Sequence, residues 1–396
     1  MGAILYFRLG GDFVLPTERL FDKDPYMTEF SATVLFWKQA EGAFFAALDK
    51  TAFFPEGGGQ FCDLGTLYNA DVLDVQEDEN GVIWHKINKP LETGITVTGH
   101  IDWRRRFDFM QQHSGEHIFS GLAHTHFGAA NVGFHLGLEV TTIDLDVPLN
   151  EKKVNMLERE ANEAVYKNLP VEISYPSKAE LAVLPYRSKK ELSGRVRIVT
   201  VPGYDICACC GTHVARTGEI GIIKITSFQN YKGGTRLFML CGGRAFADYQ
   251  RKNADIQHVT TSLSIKPEEL CQGVERLCDE ITAHKIYESS VKRELFALKA
   301  KSLGSGERVA VFEENLSPDE IRRFCLTLAE SFGIAAVFCG KNEEWKYSVA
   351  SKKLDCLGVS KALNQAFCGR GGGKPELVQG SCRGTREKIK AFFDAL

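Results

Sequence analysis

The sequence contains no apolar run long enough to cross a bilayer, and its first residues lack a basic segment followed by an apolar stretch. Tyr6 stands where a myristoylation signal has Ser or Thr. These absences argue against a membrane span, a secretory leader and an acyl anchor. We therefore expect a cytoplasmic protein with no membrane partner.

The cysteines lack a repeating framework. Twelve of them are scattered over 396 residues, a chain too long to need disulfide bonds as its main source of stability. With 44% hydrophobic and 25% charged residues, the composition is typical of a globular protein of two or three domains. The pattern indicates a reducing compartment and argues against a disulfide-rich secreted module.

A large excess of either charge is also missing. The net charge of −3 argues against a surface built for bulk nucleic-acid binding. The distribution is uneven, because residues 341–396 contain 11 Lys and Arg against 6 Asp and Glu, a net of +5, which leaves −8 for residues 1–340. A basic end on an acidic body predicts that this end contacts phosphate while the rest has another role.

Two short segments supply potential metal ligands. His113 and His117 are four residues apart, so on a helix their rings lie on one face. Cys209 and His213 add a thiolate and a third imidazole from a segment that reads as a tight loop. Each pair alone is a weak signal, but together they form the nitrogen and sulfur set that Zn²⁺ favours, which predicts one zinc ion per chain. Glu116 directly precedes His117, so the pattern is not the His-Glu-x2-His motif of metalloproteases.

A third stretch, residues 53–60, reads Phe-Phe-Pro-Glu-Gly-Gly-Gly-Gln. Gly57, Gly58 and Gly59 lack Cβ atoms, so backbone N–H groups there can approach a ligand closely. Gln60 carries donors and an acceptor that suit a hydroxyl group or a ribose. We predict that these four residues bind substrate. The alternative is a flexible hairpin tip.

Other polar residues surround the predicted metal ligands. The alternating pattern of residues 132–146 predicts paired strands that project His135 toward the cleft, as a substrate-binding residue or as a structural histidine.

Residues 104–106 are three arginines, which suit phosphate contacts or a solvated face with one ion pair. A basic loop precedes the Cys-His segment and is predicted to attract an acidic polymer. Its cations are Arg187, Lys189, Lys190, Arg195 and Arg197.

Patterning predicts an α+β protein. Residues 1–100 are predicted to form a small β-barrel-like domain, in which residues 28 to about 100 read as short strands and residues 65–75 form one of them. Residues 101–250 combine the histidine helix with strands in an α+β domain that holds the zinc ligands. We place the strands predicted at residues 171–175 and 195–201 in the same sheet as the paired strands.

The remainder divides into a helical linker and a small α/β domain. Apolar residues in the linker, residues 251–303, recur as in a coiled-coil seam, which predicts a homodimer contact or, alternatively, an intramolecular helical hairpin. In residues 304–396, strands alternate with helices, and Ser317 and Glu320 predict a capped helix start.

A Gly-rich loop at residues 368–380 is predicted to bind tRNA through backbone groups and two cations. The candidate contacts are Gly369, Arg370, Gly371, Gly372, Gly373 and Lys374. The stretch lacks the Gly-Lys-Ser/Thr ending of a P-loop, so we do not expect ATP as a ligand.

The combination resembles the editing and C-terminal domains of alanyl-tRNA synthetase, and is similar to the free-standing AlaX family in its long form. The resemblance rests on His113-x3-His117, on Cys209-x3-His213 in a Cys-Gly-Thr-His context, on residues 53–60 and on the terminal Gly-rich loop. It covers nearly the whole chain, with no aminoacylation core before the histidine helix. It implies a zinc-dependent trans-editing hydrolase that deacylates tRNA(Ala) mischarged mainly with Ser, and secondarily with Gly, at the aminoacyl ester.

The sequence departs from the synthetase pattern at Cys210, where the synthetase usually has Gly. Cys210 and Cys207 therefore compete with Cys209 for the metal, and we assign Cys209 on its spacing. The last domain, residues 304–396, is of the DHHA1-like, tRNA-binding type by this resemblance. A similar domain accompanies DHH phosphoesterases, but no Asp-His-His triplet occurs here. A non-catalytic, zinc-stabilised tRNA-binding protein is the remaining alternative.

Overall fold

The computed structural model describes residues 7–9, 12–14, 16–40, 42–188 and 196–396. The chain divides into two compact units, Met1–Ile256 and Gln257–Leu396, each described here by itself. Both contain helices and strands, in agreement with the predicted α+β class. Among the described residues, no helix combines the length and apolar character that crossing a membrane requires.

The first unit begins with a closed barrel of six strands, which confirms the predicted barrel-like domain. The elements of this part of the chain, in order, are β1 (Phe7–Leu9), β2 (Asp12–Val14), β3 (Glu18–Arg19), α1 (Leu20–Lys23), β4 (Glu29–Ala40), β5 (Ala43–Leu48), β6 (Lys50–Thr51), β7 (Gly65–Leu67), β8 (Ala70–Glu77), β9 (Ile83–Ile87) and β10 (Thr96–Ile101). The barrel closes in the order β10-β4-β5-β9-β8-β7. Alternate strand residues point inward, and Val34, Leu48 and Phe53 are buried in its core.

The prediction of a single strand at residues 65–75 was wrong. The chain reverses at Tyr68 and Asn69, so that β7 and β8 pair with each other in antiparallel register. Tyr68 has a φ of +54°, a conformation that turns usually assign to Gly or Asn. Because this turn contains neither Gly nor Pro, the sequence carried no strong turn signal.

The rest of the first unit is an α+β layer. Its elements are α2 (Trp103–Phe127), β11 (Asn131–Leu136), β12 (Thr141–Leu145), α3 (Glu151–Lys167), β13 (Glu172–Ser174), α4 (Lys178–Leu181), β14 (Ile198–Val201), β15 (Asp205–Ala208), a 3-10 turn (Thr217–Ile220), β16 (Ile223–Tyr231), β17 (Gly234–Cys241) and α5 (Gly242–Leu263). Helices α2 and α3 share one apolar core with the antiparallel sheet β11-β12-β17-β16.

The strands predicted at residues 171–175 and 195–201 do not join that sheet, contrary to our expectation. β13 and β14 instead pair with β15 in a separate three-stranded sheet. Apolar patterning shows that a strand is buried, but it does not show which neighbour provides its hydrogen bonds. Arg195, at the start of the second predicted strand, lies outside the described residues.

Helix α2 forms as the sequence predicts. The side chain of Asp102 accepts a hydrogen bond from the Arg105 backbone N–H at 3.1 Å, and Gly128 ends the helix with a φ of +63°. The apolar positions after the second histidine, such as Ile118 and Phe119, are fully buried. The helix therefore carries His113 and His117 inside the unit, whereas His124 and His126 in its last turn are exposed.

The second unit contains a long helix followed by a five-stranded sheet. Its elements after the end of α5 are a 3-10 turn (Pro267–Glu269), α6 (Leu270–Leu303), β18 (Gly306–Glu313), α7 (Pro318–Leu328), β19 (Phe332–Lys341), β20 (Glu344–Ala350), α8 (Cys356–Ala366), β21 (Arg370–Lys374), β22 (Leu377–Arg383) and α9 (Arg386–Asp394). The sheet order is β18-β19-β20-β22-β21, and only β18 and β19 run parallel. Ser317 and Glu320 cap each other at the start of α7, as predicted.

The apolar stripe of α6 is exposed. Its Val274, Leu277, Ile281, Val291, Leu295 and Leu298 side chains are 41% to 66% exposed. A face that is buried within the unit lies elsewhere on the helix, where Phe296 and Ala300 pack into the core beside α7. The stripe is thus available to another surface, and a homodimer contact through residues 251–303 stays a prediction.

The Gly-rich stretch at residues 368–380 is a β-hairpin, not a loop. β21 and β22 pair from Arg370 with Ser381 to Lys374 with Leu377. A Cβ on Gly371 would meet the hydroxyl of Tyr347, which is already hydrogen-bonded to Ser360. The glycine is therefore required for close packing of the strand, a use that composition alone could not distinguish from loop flexibility.

Arg106 is used inside the protein, so the three arginines at residues 104–106 do not all serve as phosphate contacts. Its guanidinium is fully buried, and Nε donates to both carboxylate oxygens of Asp63 at 2.9 and 3.0 Å. The two Nη groups donate to the carbonyl oxygens of Pro25 and Ala52 at 2.7 and 2.6 Å. These bonds fasten α2 to the barrel. Arg104, by contrast, is exposed.

We predict that Asp63→Ala lowers the free energy of unfolding by about 3–5 kcal/mol, because it leaves a buried guanidinium without its counter-charge. Urea unfolding of the full chain measures the loss. Glu18→Ala is the control, since it removes an exposed ion pair with Lys23 in the same unit and should change stability by about 1 kcal/mol or less. Equal effects of the two substitutions would contradict the anchoring role of Arg106.

Candidate metal centre

The four predicted metal ligands come together in the first unit. One ligand atom from each of His113, His117, Cys209 and His213 lies within 4.8 Å of the others. The sulfur of Cys209 is 3.4 Å from Nε2 of His113 and 3.4 Å from Nε2 of His213. The three imidazoles are 1% to 2% exposed. Helix α2 supplies the first two ligands, and the loop after β15 supplies the others.

The loop is shaped by close contacts with α2 and with its own backbone. A Cβ on Gly211 would overlap the ring of His113, so only glycine allows the loop to lie this close. Nη1 of Arg197 donates to the carbonyl oxygens of Cys209 and Gly211, both at 2.9 Å. The tight segment predicted before His213 is therefore confirmed, and it fixes the position of the thiol.

A polar side chain lies within hydrogen-bonding distance of Nδ1 in each of the three candidate histidine ligands. His113 Nδ1 lies 2.9 Å from Oε1 of Gln60, and His213 Nδ1 lies 3.2 Å from the hydroxyl of Ser114. His117 Nδ1 lies 2.9 Å from a carboxylate oxygen of Asp205. A partner on Nδ1 orients the ring and leaves Nε2 for an ion.

The electrostatics favour a thiolate beside imidazoles. Burial alone would raise the pKa of Cys209, but the adjacent imidazoles, above all His113, outweigh it and hold that pKa well below the usual value for a thiol. Burial lowers the pKa of His213 to about 3, which keeps that imidazole neutral. A thiolate and a neutral imidazole are the forms in which these two side chains bind zinc. Burial lowers the pKa of His117, but its hydrogen bonds with Asp205 and Cys209 outweigh burial and raise that pKa well above the usual value, so an ion bound there would displace a proton.

The structure separates the three competing cysteines. Cys210 is exposed and lies outside the group of four. Cys207 belongs to a second group with His117 and Asp205. Burial raises the pKa of the Cys207 thiol, and Asp205 is already bonded to Arg187, so this group is less suited to an ion. Geometry thus places Cys209 in the candidate centre.

The glycines before Gln60 form a tight turn. Gly57 and Gln60 exchange two backbone hydrogen bonds, both of 3.0 Å, while Gly58 and Gly59 have φ values of +61° and +85°. A Cβ on Gly59 would lie 2.8 Å from the ring of Phe134. The turn is therefore not remote from the histidine helix, and substrate binding by it stays a prediction.

Gln60 has a structural use that sequence reasoning missed. The side chain is 1% exposed, its Oε1 faces His113, and its Nε2 donates to the hydroxyl of Thr212 at 2.9 Å. Both ends of the amide are therefore engaged inside the protein. Gln60 ties the turn to the metal centre, whatever contact it makes with substrate.

His135 faces away from the four ligands. It is exposed on β11, with its ring edge-on to Phe61 at a centroid distance of 5.7 Å. Its neighbour Phe134 lies against His113 instead, at 5.1 Å. Successive side chains of a strand point to opposite faces, so only one of the two can line the centre. Apart from its place next to His135, nothing in the sequence indicated that Phe134 lines the centre.

The basic loop is used partly inside the protein. Arg187 donates to Asp205 at 2.7 and 2.9 Å, and Arg197 bonds the Cys-His loop as described above. These two cations are therefore engaged internally rather than in attracting a polymer. The other predicted cations, Lys189, Lys190 and Arg195, lie outside the described residues.

Two family models match the chain. Residues 196–238 match the threonyl and alanyl tRNA synthetase second additional domain, which includes the Cys-His loop. Residues 306–396 match the DHHA1 domain, which includes the five-stranded sheet and its hairpin. The two matches lie in separate compact units of the chain.

Similar proteins cover most of the chain. The mouse protein named alanyl-tRNA editing protein Aarsd1 is 31% identical over 304 residues, which is 72% of this chain and 74% of the mouse protein. The zebrafish (Danio rerio) protein of the same name is 29% identical and covers 94% of this chain and 96% of its own length. The alanine–tRNA ligase of Ignicoccus hospitalis is 29% identical across 96% of this chain, which spans only 43% of that ligase. The chain therefore belongs to the alanyl-tRNA editing protein family, in the form that carries a C-terminal DHHA1 domain.

Proposed function

We propose that the protein is a trans-editing hydrolase that deacylates tRNA(Ala) mischarged mainly with Ser, and secondarily with Gly, in the cytoplasm. The observation that carries this proposal is the convergence of His113, His117, Cys209 and His213 in a buried centre. The names of the mouse and zebrafish relatives support the substrate class.

The proposed cofactor is one Zn²⁺ ion per chain, held by the same four side chains. A zinc ion bound there would supply a Lewis acid that polarises the ester carbonyl or lowers the pKa of a bound water. The surrounding residues hold the ligands in place, with Gln60 and Ser114 each fixing one imidazole. The four ligands thereby take part in catalysis through the ion.

The substrate is proposed to lie against the Gly57–Gln60 turn. Gly58 and Gly59 are exposed, and Gly59 packs beside Phe134, whose ring lies on His113. The turn thus borders the metal centre and presents backbone groups without side chains. Discrimination of Ser from Ala requires a polar group of the protein that contacts the serine hydroxyl. An alanyl ester would leave that polar group unpaired. His135, whose ring faces Phe61, remains a candidate only for an outer part of the substrate.

A second candidate function is a zinc-stabilised tRNA-binding protein without catalysis. The observation that favours it is the complete set of four protein ligands, since structural zinc sites are closed whereas catalytic sites usually keep an open position. Measured ester hydrolysis separates the two candidates.

The C-terminal unit is proposed to supply affinity for tRNA. Every residue of β21, from Arg370 to Lys374, is exposed at the edge of the sheet, with one cation at each end of three glycines. Gly369 precedes this edge. Backbone groups and cations on an exposed edge suit phosphate contacts, whereas ATP is not proposed as a ligand. A homodimer through residues 251–303 would place two such edges in one assembly.

We predict about one zinc per purified chain. His117→Ala and Cys209→Ala should each lose the metal, because each removes a ligand of a four-coordinate site, while Cys210→Ala should retain it. Metal analysis by mass spectrometry, with a thermal melt to confirm folding, checks this. Full zinc content in Cys209→Ala, together with its loss in Cys210→Ala, would shift the ligand by one residue.

We predict that the full chain deacylates Ser-tRNA(Ala) fastest, Gly-tRNA(Ala) more slowly, and spares Ala-tRNA(Ala). His117→Ala should lower the rate on Ser-tRNA(Ala) by about 100-fold or more, since loss of the ion removes several kcal/mol of charge stabilisation. Release of labelled serine measures the rate, and Cys210→Ala is the matched control. If the wild type binds tRNA but releases no serine, the non-catalytic alternative is correct.

We predict that replacing both Arg370 and Lys374 with Gln weakens tRNA binding and flattens its salt dependence by about one unit of logarithmic slope per cation removed. Filter binding at several salt concentrations measures both quantities. Lys390→Gln is the control, because that lysine is paired with Asp394 in the same unit. An unchanged slope in the double variant would remove the hairpin edge from the tRNA contact.

A further inference from the structure

His117 is held on the Nδ1 side of its ring by an ion pair between Asp205 and Arg187. Its Nδ1 donates to Oδ2 of Asp205 at 2.9 Å. Arg187 donates to both oxygens of the same carboxylate, from Nε at 2.7 Å and from Nη2 at 2.9 Å. His117 and Asp205 are 2% and 6% exposed. The three side chains are therefore fixed in one arrangement that leaves Nε2 of His117 for an ion.

The backbone brings Arg187 to this position. Its N–H donates to the carbonyl of Ile206 at 2.8 Å, and the N–H of Ala208 donates to the carbonyl of Arg187 at 2.9 Å. Arg187 thus pairs with β15, the strand that begins with Asp205 and ends just before Cys209. The strand therefore begins with the carboxylate that orients one candidate ligand and leads directly into another, Cys209.

Gly121 shows that the approach of Asp205 to α2 is built into the helix. It lies one turn after His117, where a Cβ would be 2.3 Å from the backbone carbonyl oxygen of Tyr204, 2.8 Å from Cβ of Asp205 and 3.0 Å from its Oδ1. Glycine inside a helix costs about 1 kcal/mol relative to alanine, so a close contact explains its presence. Without this glycine, the carboxylate could not reach the imidazole.

The partner of His117 differs from those of the other two histidines. His113 and His213 are oriented by neutral groups, the amide of Gln60 and the hydroxyl of Ser114. A carboxylate is a stronger acceptor, and it accepts only, so it specifies that Nδ1 carries the proton. Asp205 therefore defines the metal-binding form of His117 more strictly than the neutral partners define theirs.

We infer that Asp205, held in place by Arg187, is a positioning residue of the metal centre that sets its affinity through His117. This inference rests on the proposed zinc site and adds two residues that the ligand motifs do not contain. Arg187 also balances the buried carboxylate, which would otherwise be an unpaired charge. Neither residue belongs to the group of four candidate ligands.

The test measures metal affinity directly. The full chain is stripped with a chelator and titrated with Co²⁺ and with Zn²⁺ against a chromophoric competitor, and the Co²⁺–thiolate absorption reports ligation by Cys209. Asp205→Asn should weaken binding about 10- to 100-fold, because a neutral amide can present either N–H₂ or O to the ring. Arg187→Lys should cause a smaller loss, because one ammonium cannot match both oxygens.

Two further variants keep the test specific. Asp144→Asn breaks a similar pair, in which Arg236 donates to both oxygens at 2.6 Å in the same unit, and it should leave metal affinity unchanged. Gly121→Ala adds one methyl group between α2 and Asp205 and should weaken binding while all four ligands remain. Arg187→Lys provides the result if Asp205→Asn fails to fold.

The outcomes separate the two proposals. Wild-type affinity in folded Asp205→Asn and Gly121→Ala, with normal binding by the unmodified chain, overturns the positioning role and leaves the zinc site intact. No binding by the unmodified chain overturns the zinc site itself. If Cys207→Ser lowers affinity as much as Asp205→Asn, while Cys209→Ser does not, Asp205 is a ligand in the second group and not a positioning residue. A lower melting temperature without a change in affinity also overturns the inference.

Discussion

Burial of helix α2 imposes the constraint on which the first unit depends. The helix contains side chains that are polar and buried, and each of these needs a partner, because an unpaired polar group inside a protein costs roughly 1–3 kcal/mol. Those partners come from different parts of the unit. Asp63 of the barrel region binds Arg106, Gln112 exchanges two hydrogen bonds with Cys241 of β17, and Asp205 of β15 binds His117. Satisfying the helix therefore fixes how the barrel and both sheets meet.

The same constraint prepares the candidate metal centre. Three imidazoles around a thiolate are held by groups on their far sides, so their ligand atoms face one point without being free to rotate. Glycines provide the space for this arrangement. Gly211 admits the loop beside His113, and Gly121 admits Asp205 beside His117. A centre assembled in this way should tolerate changes of the exposed Cys210 more readily than a methyl group added to either glycine.

The second unit uses glycine and charge in a different way. There the glycines form a strand that packs close to Tyr347, and the strand ends in exposed cations at the sheet edge. An edge strand leaves backbone groups unpaired, which a polyanion can use but which also invites pairing with another chain. The cations oppose such pairing because two copies of this edge would repel each other. The exposed stripe of α6 lacks that protection, since its apolar side chains face outward.

Local chemistry determined much of this protein from the sequence alone. The spacing of His113 and His117 indicated one face of a helix, and the capping residues Ser317 and Glu320 marked the start of α7, because both signals act within one helical turn. Sequence could not decide which strands share a sheet, that Tyr68 makes a turn, or that residues 368–380 pair as a hairpin. Nor did it identify Asp205, or the contact of Arg187 with it. These residues approach His117 from 88 and 70 positions away along the chain. Contacts of that kind depend on hydrogen bonding and close packing between distant segments, and only the tertiary structure brings those segments together.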